Sequence, residues 1–380
     1  TKLKRTGNPK KVIMSRAIRA WKPALAGMTA AAALGASVPV AADEVELRQE
    51  IRHLKERVDE LEQEKGAPAL PAGLEFGGLV EAEGFWADDF AGARESDIVL
   101  ATVELGLHAI VSPWVEGKLL FLYEEDETDF GIDEGFITLG NPAVSPFHVS
   151  AGQMYVPFGN FTTGLISDPL TLEVAETNES VLQVGFERAG IYGSVYAFKG
   201  DVSDGGSDTV EAFGGNLGFN RGGLDAGIGY LSNLGDGDLV QEELATTDLQ
   251  DYVGGVTAYG IYESNGLTAV AEYVTATDSF QASELAFDGA GAEPSAYNLE
   301  LGYGIDVVGR PSELTVAYQG TEEALALGLP ETRLMAGLSV SLNHAAALSF
   351  EYARDDDYAV NEGGTGETAD MVTVQLAAGF

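Results

Sequence analysis

The 380-residue chain has no cysteine, only four histidines and no apolar run long enough for a membrane-crossing helix. Each shortage removes a class of function. Without cysteine there is no C-x-x-C redox or zinc pair, and the lack suits a chain that crosses an oxidising periplasm. Neither G-x-x-x-x-G-K nor H-E-x-x-H occurs, and four histidines leave little for general-base work. His53 falls in a heptad stretch, His108 on the polar face of a strand, His148 on a strand beside a turn and His344 in a turn. Each reads as a solvated or locally bonded imidazole rather than an iron ligand. No catalytic residue, cofactor or metal site is expected. Asp355-Asp356-Asp357 with Asn361 and Glu362, or Asp236 with Asp238, could hold a divalent cation weakly, but they lack the glycine and bidentate glutamate of an EF-hand. These acids read as parts of solvated loops.

Positive charge is also scarce: 21 Lys and Arg stand against 60 Asp and Glu. Eight of the bases (Lys2, Lys4, Arg5, Lys10, Lys11, Arg16, Arg19, Lys22) precede Ala42, where no acid occurs, which leaves 13 bases against 60 acids. That field disfavours nucleic acid and phosphate-rich partners. The basic start runs into an apolar, alanine-rich stretch, Pro23–Val40, closed by Val40-Ala41-Ala42. A basic n-region, a short h-region and small residues at the end describe a secretory signal peptide over 1–42, with Met14 as a start that would give it ordinary length.

In 43–65, Leu47, Ile51, Leu54, Val58 and Leu61 are spaced four, three, four and three apart, an a/d seam for a short periplasmic coiled coil. Its a and d residues by themselves favour two strands, but Arg57-Val58-Asp59-Glu60-Leu61-Glu62 resembles the Arg-h-x-x-h-Glu pattern of short trimeric coiled coils. A homotrimer is the expectation, and a lone amphipathic helix the alternative. Residues 66–72 read as a linker.

From Gly73 to Phe380 no helical period is convincing. Sixteen segments of about ten residues alternate apolar with polar or small residues. Leu74, Phe76, Gly78, Val80, Ala82, Gly84 and Trp86 share one face, with Glu75, Glu81 and Glu83 opposite; Val99, Ala101, Val103, Leu105 and Leu107 face away from Thr102, Glu104 and His108. Tight connections such as Asn220-Arg221-Gly222-Gly223 and Ser264-Asn265-Gly266 alternate with long acidic ones such as Gly235–Leu249 and Asp355–Thr368. An even count, short turns on one side, long loops on the other and aromatic residues near strand ends (Trp86, Trp114, Tyr123, Tyr230, Tyr262, Tyr303, Tyr352) describe an all-β transmembrane barrel. An acidic face opposite an apolar one suits a wet lumen and not a dry sandwich core. Glu75, Glu81, Glu83, Glu104, Glu116, Lys118, Glu272 and Glu300 are the expected pore-lining residues, and acid rings in a watery bore favour cations. The barrel region holds only eight bases, too few for the Arg/Lys ladder of an anion pore.

One stretch, Val156–Ser180, has neither period. Pro157 and Pro169 cannot donate to a sheet ladder, and its apolar content argues against disorder. It reads as a loop folded into the mouth, with Pro157, Phe158, Gly159, Phe161, Ser167, Asp168, Pro169 and Glu176 as its marked positions.

Together Gly152-Gln153-Met154-Tyr155-Val156-Pro157-Phe158-Gly159-Asn160-Phe161, Ser167-Asp168-Pro169-Leu170-Thr171-Leu172-Glu173 and the Glu176-Thr177…Glu179-Ser180 run resemble the LbtU-type siderophore porins. The order of signal peptide, short coiled coil and one barrel ending in Phe is similar too. The resemblance implies an outer-membrane channel admitting ferric siderophores without the plug of energised receptors; it carries over no ligand-contacting residue. Three readings stay open: a passive porin for iron–siderophore complexes or similar small polar solutes, a general cation-preferring diffusion pore, and a non-conducting structural or adhesive barrel. All three have outer-membrane lipid as the surrounding partner.

Overall fold

The computed structural model describes residues 73–126, 128–206 and 209–380. The expected signal peptide (1–42), coiled coil (43–65) and linker (66–72) lie outside them.

Sixteen antiparallel strands close on themselves. They are β1 (Leu74–Asp88), β2 (Arg94–Ser112), β3 (Val115–Glu124), β4 (Thr128–Gly140), β5 (Phe147–Tyr155), β6 (Asn178–Arg188), β7 (Ile191–Phe198), β8 (Ala212–Arg221), β9 (Leu224–Leu231), β10 (Gly255–Ser264), β11 (Leu267–Ala276), β12 (Ser295–Val307), β13 (Arg310–Glu322), β14 (Thr332–Asn343), β15 (Ala346–Asp356) and β16 (Thr368–Gly379). β16 pairs back on β1, from Leu79↔Gly379 to Asp88↔Asp370. At that seam Gly78 and Phe380 exchange backbone hydrogen bonds of 3.0 Å, and a Cβ on Gly78 would overlap the Phe380 ring. Closure leaves no unpaired sheet edge.

Period-2 alternation decides what faces where. Val80, Trp86, Leu182, Val184, Val195, Leu217, Leu299, Leu301, Val316, Leu334, Val372 and Leu376 are exposed on the outside. An exposed apolar face of this extent, running around a closed cylinder, is stable against lipid and not against water. Exposed aromatics collect near both rims: Trp114, Phe147, Tyr262 and Tyr303 near the turns, Trp86, Phe213, Tyr230, Tyr273 and Tyr352 near the loops. Amphipathic rings are favoured at a membrane–water interface. No helix among the described residues is long and apolar enough to cross a membrane.

The turn side is built by local chemistry. Ala189-Gly190, Gly222-Gly223, Asn265-Gly266 and Val308-Gly309 each have positive φ at both residues, as two-residue hairpin turns matched to strand twist require. The loop side is different. Short helices α1 (Leu170–Ala175) and α2 (Asp238–Glu243) and small two-stranded pairs fold inward. They bury one continuous apolar cluster that includes Phe158, Leu170, Val174, Leu234, Val240, Leu249, Phe280, Leu285 and Leu327.

Two expectations are corrected here. Gly235–Leu249 is solvated only in part: Val240 and Leu249 are buried in it and Asp236 is 2% exposed, while Glu242, Glu243 and Asp248 are exposed. Its acids mask a helical spacing too short to register as a period. Val99, expected on the face of Val103, is buried against Phe85 and Ala87, so the alternation shifts near the start of β2.

Candidate functional site

The loop between β5 and β6 leaves the sheet at Val156 and crosses to the opposite wall, where β13 lies eight places around the ring. Its first fixture is Phe158, 1% exposed, whose ring fills a recess over Gly229 of β9 and Gly255 of β10; a Cβ on Gly255 would stand 2.9 Å from the ring. Gly159 follows at φ +90°, a conformation that glycine adopts without cost, and a Cβ there would overlap the Phe161 ring. The bend delivers the next backbone N–H groups to wall carboxylates.

Asn160 N and Phe161 N donate to the two oxygens of Glu272 at 2.7 and 2.9 Å, and Thr171 Oγ1 donates to it at 3.2 Å. Thr163 Oγ1 and Gly164 N donate to Glu300 at 2.6 and 2.7 Å. Ile166 N, Ser167 N and Ser167 Oγ donate to Glu351 at 2.6, 3.1 and 2.5 Å. Leu170 N donates to Gln319 Oε1 at 3.0 Å. Hydrogen bonds to charged acceptors contribute about 1.5–3 kcal/mol each, and a buried N–H left without one costs comparably. Leu165 packs over Ala317, Met335 and Ala353, where a larger residue at Gly337 would overlap it. Pro169 opens α1, its carbonyl accepting Leu172 N at 2.8 Å, and Leu170 is fully buried. The carbonyl of Glu176 accepts Asp238 N at 2.8 Å, tying the loop's end to α2. Asp168 is buried and Pro157 lies between the buried Val156 and Phe158.

The structure therefore divides the acids expected along the pore. Glu272 and Glu300, 3% and 4% exposed, are on the inner face but beneath the loop, holding it. Glu351 and Gln319 share that task and escaped the sequence analysis, although their inward position was readable from the alternation. Glu81 and Glu83 on β1 and Glu104 on β2 lie across the β16 seam from Glu351 of β15, and Glu81 and Glu104 are themselves 3% and 5% exposed. Glu83 accepts Gln375 Nε2 at 2.8 Å. On β3 Lys118 donates to Glu134 and lies 5.8 Å from the centroid of the Phe136 ring, and His108 meets Glu116 at 3.2 Å. Glu124 and Asp133, also missed, accept Thr128 Oγ1 at 2.7 Å and Tyr155 OH at 2.9 Å. Glu75 is exposed at the start of β1.

Lys118 is thus matched by Glu134, and the inward Arg333 is clamped by Asp355 at 2.8 and 2.9 Å. Among the described residues no group of three or more His, Asp or Glu is placed to hold a metal ion. Asp357, considered above for a cation, accepts Thr365 N and Oγ1 at 2.6 Å instead. Asp236 accepts Val202 N at 3.0 Å and Asn233 Nδ2 at 2.9 Å, and burial pushes its carboxyl up to about 6.

A closed sixteen-stranded cylinder, apolar outside, polar inside and spanned by one inward loop, is a transmembrane β-barrel of porin architecture. The anion-selective porin from Comamonas acidovorans has this fold at TM-score 0.59 and 13% identity, over 81% of this chain and 99% of that one. The outer membrane channel DcaP of Acinetobacter baumannii has it at 0.55 and 15%, over 81% and 97%, and Pseudomonas putida OprB at 0.55 and 11%, over 81% and 94%. In sequence the chain is similar to the UPF0422 protein of Coxiella burnetii, 27% identical over 314 residues, 79% of this chain and 67% of the relative. It is also similar to the UPF0422 protein lpg2959 of Legionella pneumophila subsp. pneumophila, 30% identical over 338 residues, 75% of this chain and 62% of the relative. The chain spans 62–67% of the length of the curated relatives it matches. No family model matches it.

Proposed function

We propose that the chain is a passive outer-membrane channel whose bore prefers cations and is narrowed by the 156–180 loop. The observation that carries this reading is the loop's attachment: a segment anchored by three wall carboxylates across the inside of a lipid-facing cylinder is built to set an aperture. Cation preference follows from charge. Glu81, Glu83 and Glu104 point inward from β1 and β2, Glu81 and Glu104 at 3% and 5% exposure, while the inward Lys118 and Arg333 are each neutralised by an acid. Fixed negative charge in a water-filled bore raises the local cation concentration. The Comamonas relative in fold is named anion-selective; selectivity belongs to the side chains on the wall, and a likeness in fold at 13% identity does not carry it over.

The purified chain in a planar bilayer is expected to give stable conductance steps and a cation-signed reversal potential under a KCl gradient. Anion-signed potentials would overturn the preference; no conductance would leave the structural or adhesive reading standing. For substrate, the resemblance to LbtU-type porins supports iron–siderophore complexes, with neutral or cationic complexes passing the acid wall more readily than anionic ones. Loss of growth of a deletion strain on a ferric chelate, restored by the gene, tests that step, and unchanged growth favours a general diffusion pore. The trimer is tested by crosslinking with and without residues 43–65.

A further inference from the structure

We propose that Tyr192 of β7, Tyr259 of β10 and Asp225 of β9 form a contact subsite for organic cations on the bore wall; the inference rests on the channel reading. The two tyrosines come from strands three apart and meet over the strands between. Tyr192, Gly218, Gly227 and Tyr259 are successive cross-strand partners. A Cβ on Gly218 would overlap the Tyr192 ring, and one on Gly227 would stand 2.7 Å from Cζ of Tyr259. Two adjacent glycines thus form a shallow bed in which both rings lie against the sheet. Ile191 and Val195 point outward, so Tyr192 points into the bore, and both tyrosines and Asp225 remain partly exposed there.

The hydroxyl groups touch, and Tyr192 OH donates to Asp225 Oδ1 at 2.5 Å. With that proton committed, Tyr259 donates to the Tyr192 oxygen, and the chain of phenols ends on a carboxylate. Each link polarises the next, and electron density rises on both rings. Asn220 Nδ2 holds the second carboxylate oxygen at 3.2 Å. The patch presents π faces and a negative charge while using its two phenolic protons internally. That chemistry attracts a cation with an apolar body and repels an anion. Its height in the barrel matters as well. Tyr259 is the cross-strand partner of Glu272, the carboxylate that receives the loop at Asn160 and Phe161. A solute entering where the loop crosses passes beside the rings.

The test is current block by tetraethylammonium and by benzyltrimethylammonium in the full-length chain in planar bilayers, with each channel's own K⁺ current as reference. The unsubstituted channel is expected to show concentration-dependent block. In the double variant Tyr192→Leu, Tyr259→Leu the apparent affinity is expected to fall about five- to tenfold, and in Tyr192→Phe, Tyr259→Phe, which keeps both faces, by much less. Asp225→Asn is expected to weaken block by both cations. Conducting channels with block unchanged in the Leu double variant, or with block by the uncharged benzyl alcohol as strong as by benzyltrimethylammonium, would overturn the subsite alone. Absence of any K⁺ current in the unsubstituted chain would sink the channel reading beneath it.

Discussion

Two sets of inward glutamates in one cylinder put the same residue type to different uses. On β11, β12 and β15, Glu272, Glu300 and Glu351 are covered by the loop and saturated by its N–H and O–H groups. On β1 and β2, across the β16 seam from Glu351, Glu83 accepts Gln375 of β16, and Glu81 and Glu104 are 3% and 5% exposed. The first set acts as a clasp; under the proposed channel reading the second supplies the field. The difference shows that a glutamate on the inner face of a barrel strand is not by that position a pore charge. What decides is whether a loop brings donors to it.

The largest effect is expected from opening the clasp. Glu272→Ala, Glu300→Ala and Glu351→Ala together remove eight acceptor contacts of about 1.5–3 kcal/mol each, and the backbone donors left behind must seek water. Single-channel conductance should rise about twofold or more and protease should cut within 156–177 in the folded barrel; unchanged conductance and intact loop would erase the distinction between the two sets. Next comes Gly255→Leu, which fills the Phe158 recess and should cost about 1–3 kcal/mol through overpacking. It is read as a lower unfolding midpoint with partial loop cleavage.

The second set is tested by Glu81→Gln, Glu83→Gln and Glu104→Gln. The cation-to-anion permeability ratio should fall about threefold or more, against little change for Glu272→Gln. Equal losses at both sites would merge the two populations.

A smaller effect concerns Asp236, on the loop side outside the spanning strands. Burial raises its carboxyl from 3.8 to about 6, so the folded form holds the proton more tightly than the unfolded form. The resulting stability, at most about 3 kcal/mol, is complete below pH 3.8 and is lost as the pH rises past about 6. Hydrogen exchange over 200–204 and 233–237, corrected for its intrinsic pH dependence, should be slower at pH 5 than at pH 7, and Asp236→Asn should flatten the difference. The smallest effect is expected at the rim, where Arg94 and Asp88 pair at 3.1 Å with side chains 86% and 48% exposed. Arg94→Ala should change stability by under about 0.5 kcal/mol.

The strands were legible because a barrel wall in lipid writes its own alternation: Leu299 and Leu301 outward, Asn298 and Glu300 inward, each fixed by period two alone. The turns were legible because positive φ at Asn265-Gly266 demands those residues. The clasp was not, since Glu300 finds Gly164 only through a fold spanning 136 residues. Nor was the loop-side cluster, because Leu234 and Val240 lie in turns of helix, and Leu249 in a two-residue strand, too brief to repeat. The Pro157-Phe158-Gly159 stretch was visible as a motif, but its cause is on other strands, at Gly229, Gly255 and Glu272.

The same clasp has a bearing on the order of assembly. The donors leave the sheet after β5, yet their acceptors sit 101 to 185 residues downstream, on strands that complete the ring. Contacts so distant along the chain form late. A half-wound sheet therefore carries this segment untethered, and, on the proposed channel reading, the aperture acquires its final width only when the last third of the wall has arrived to grip it.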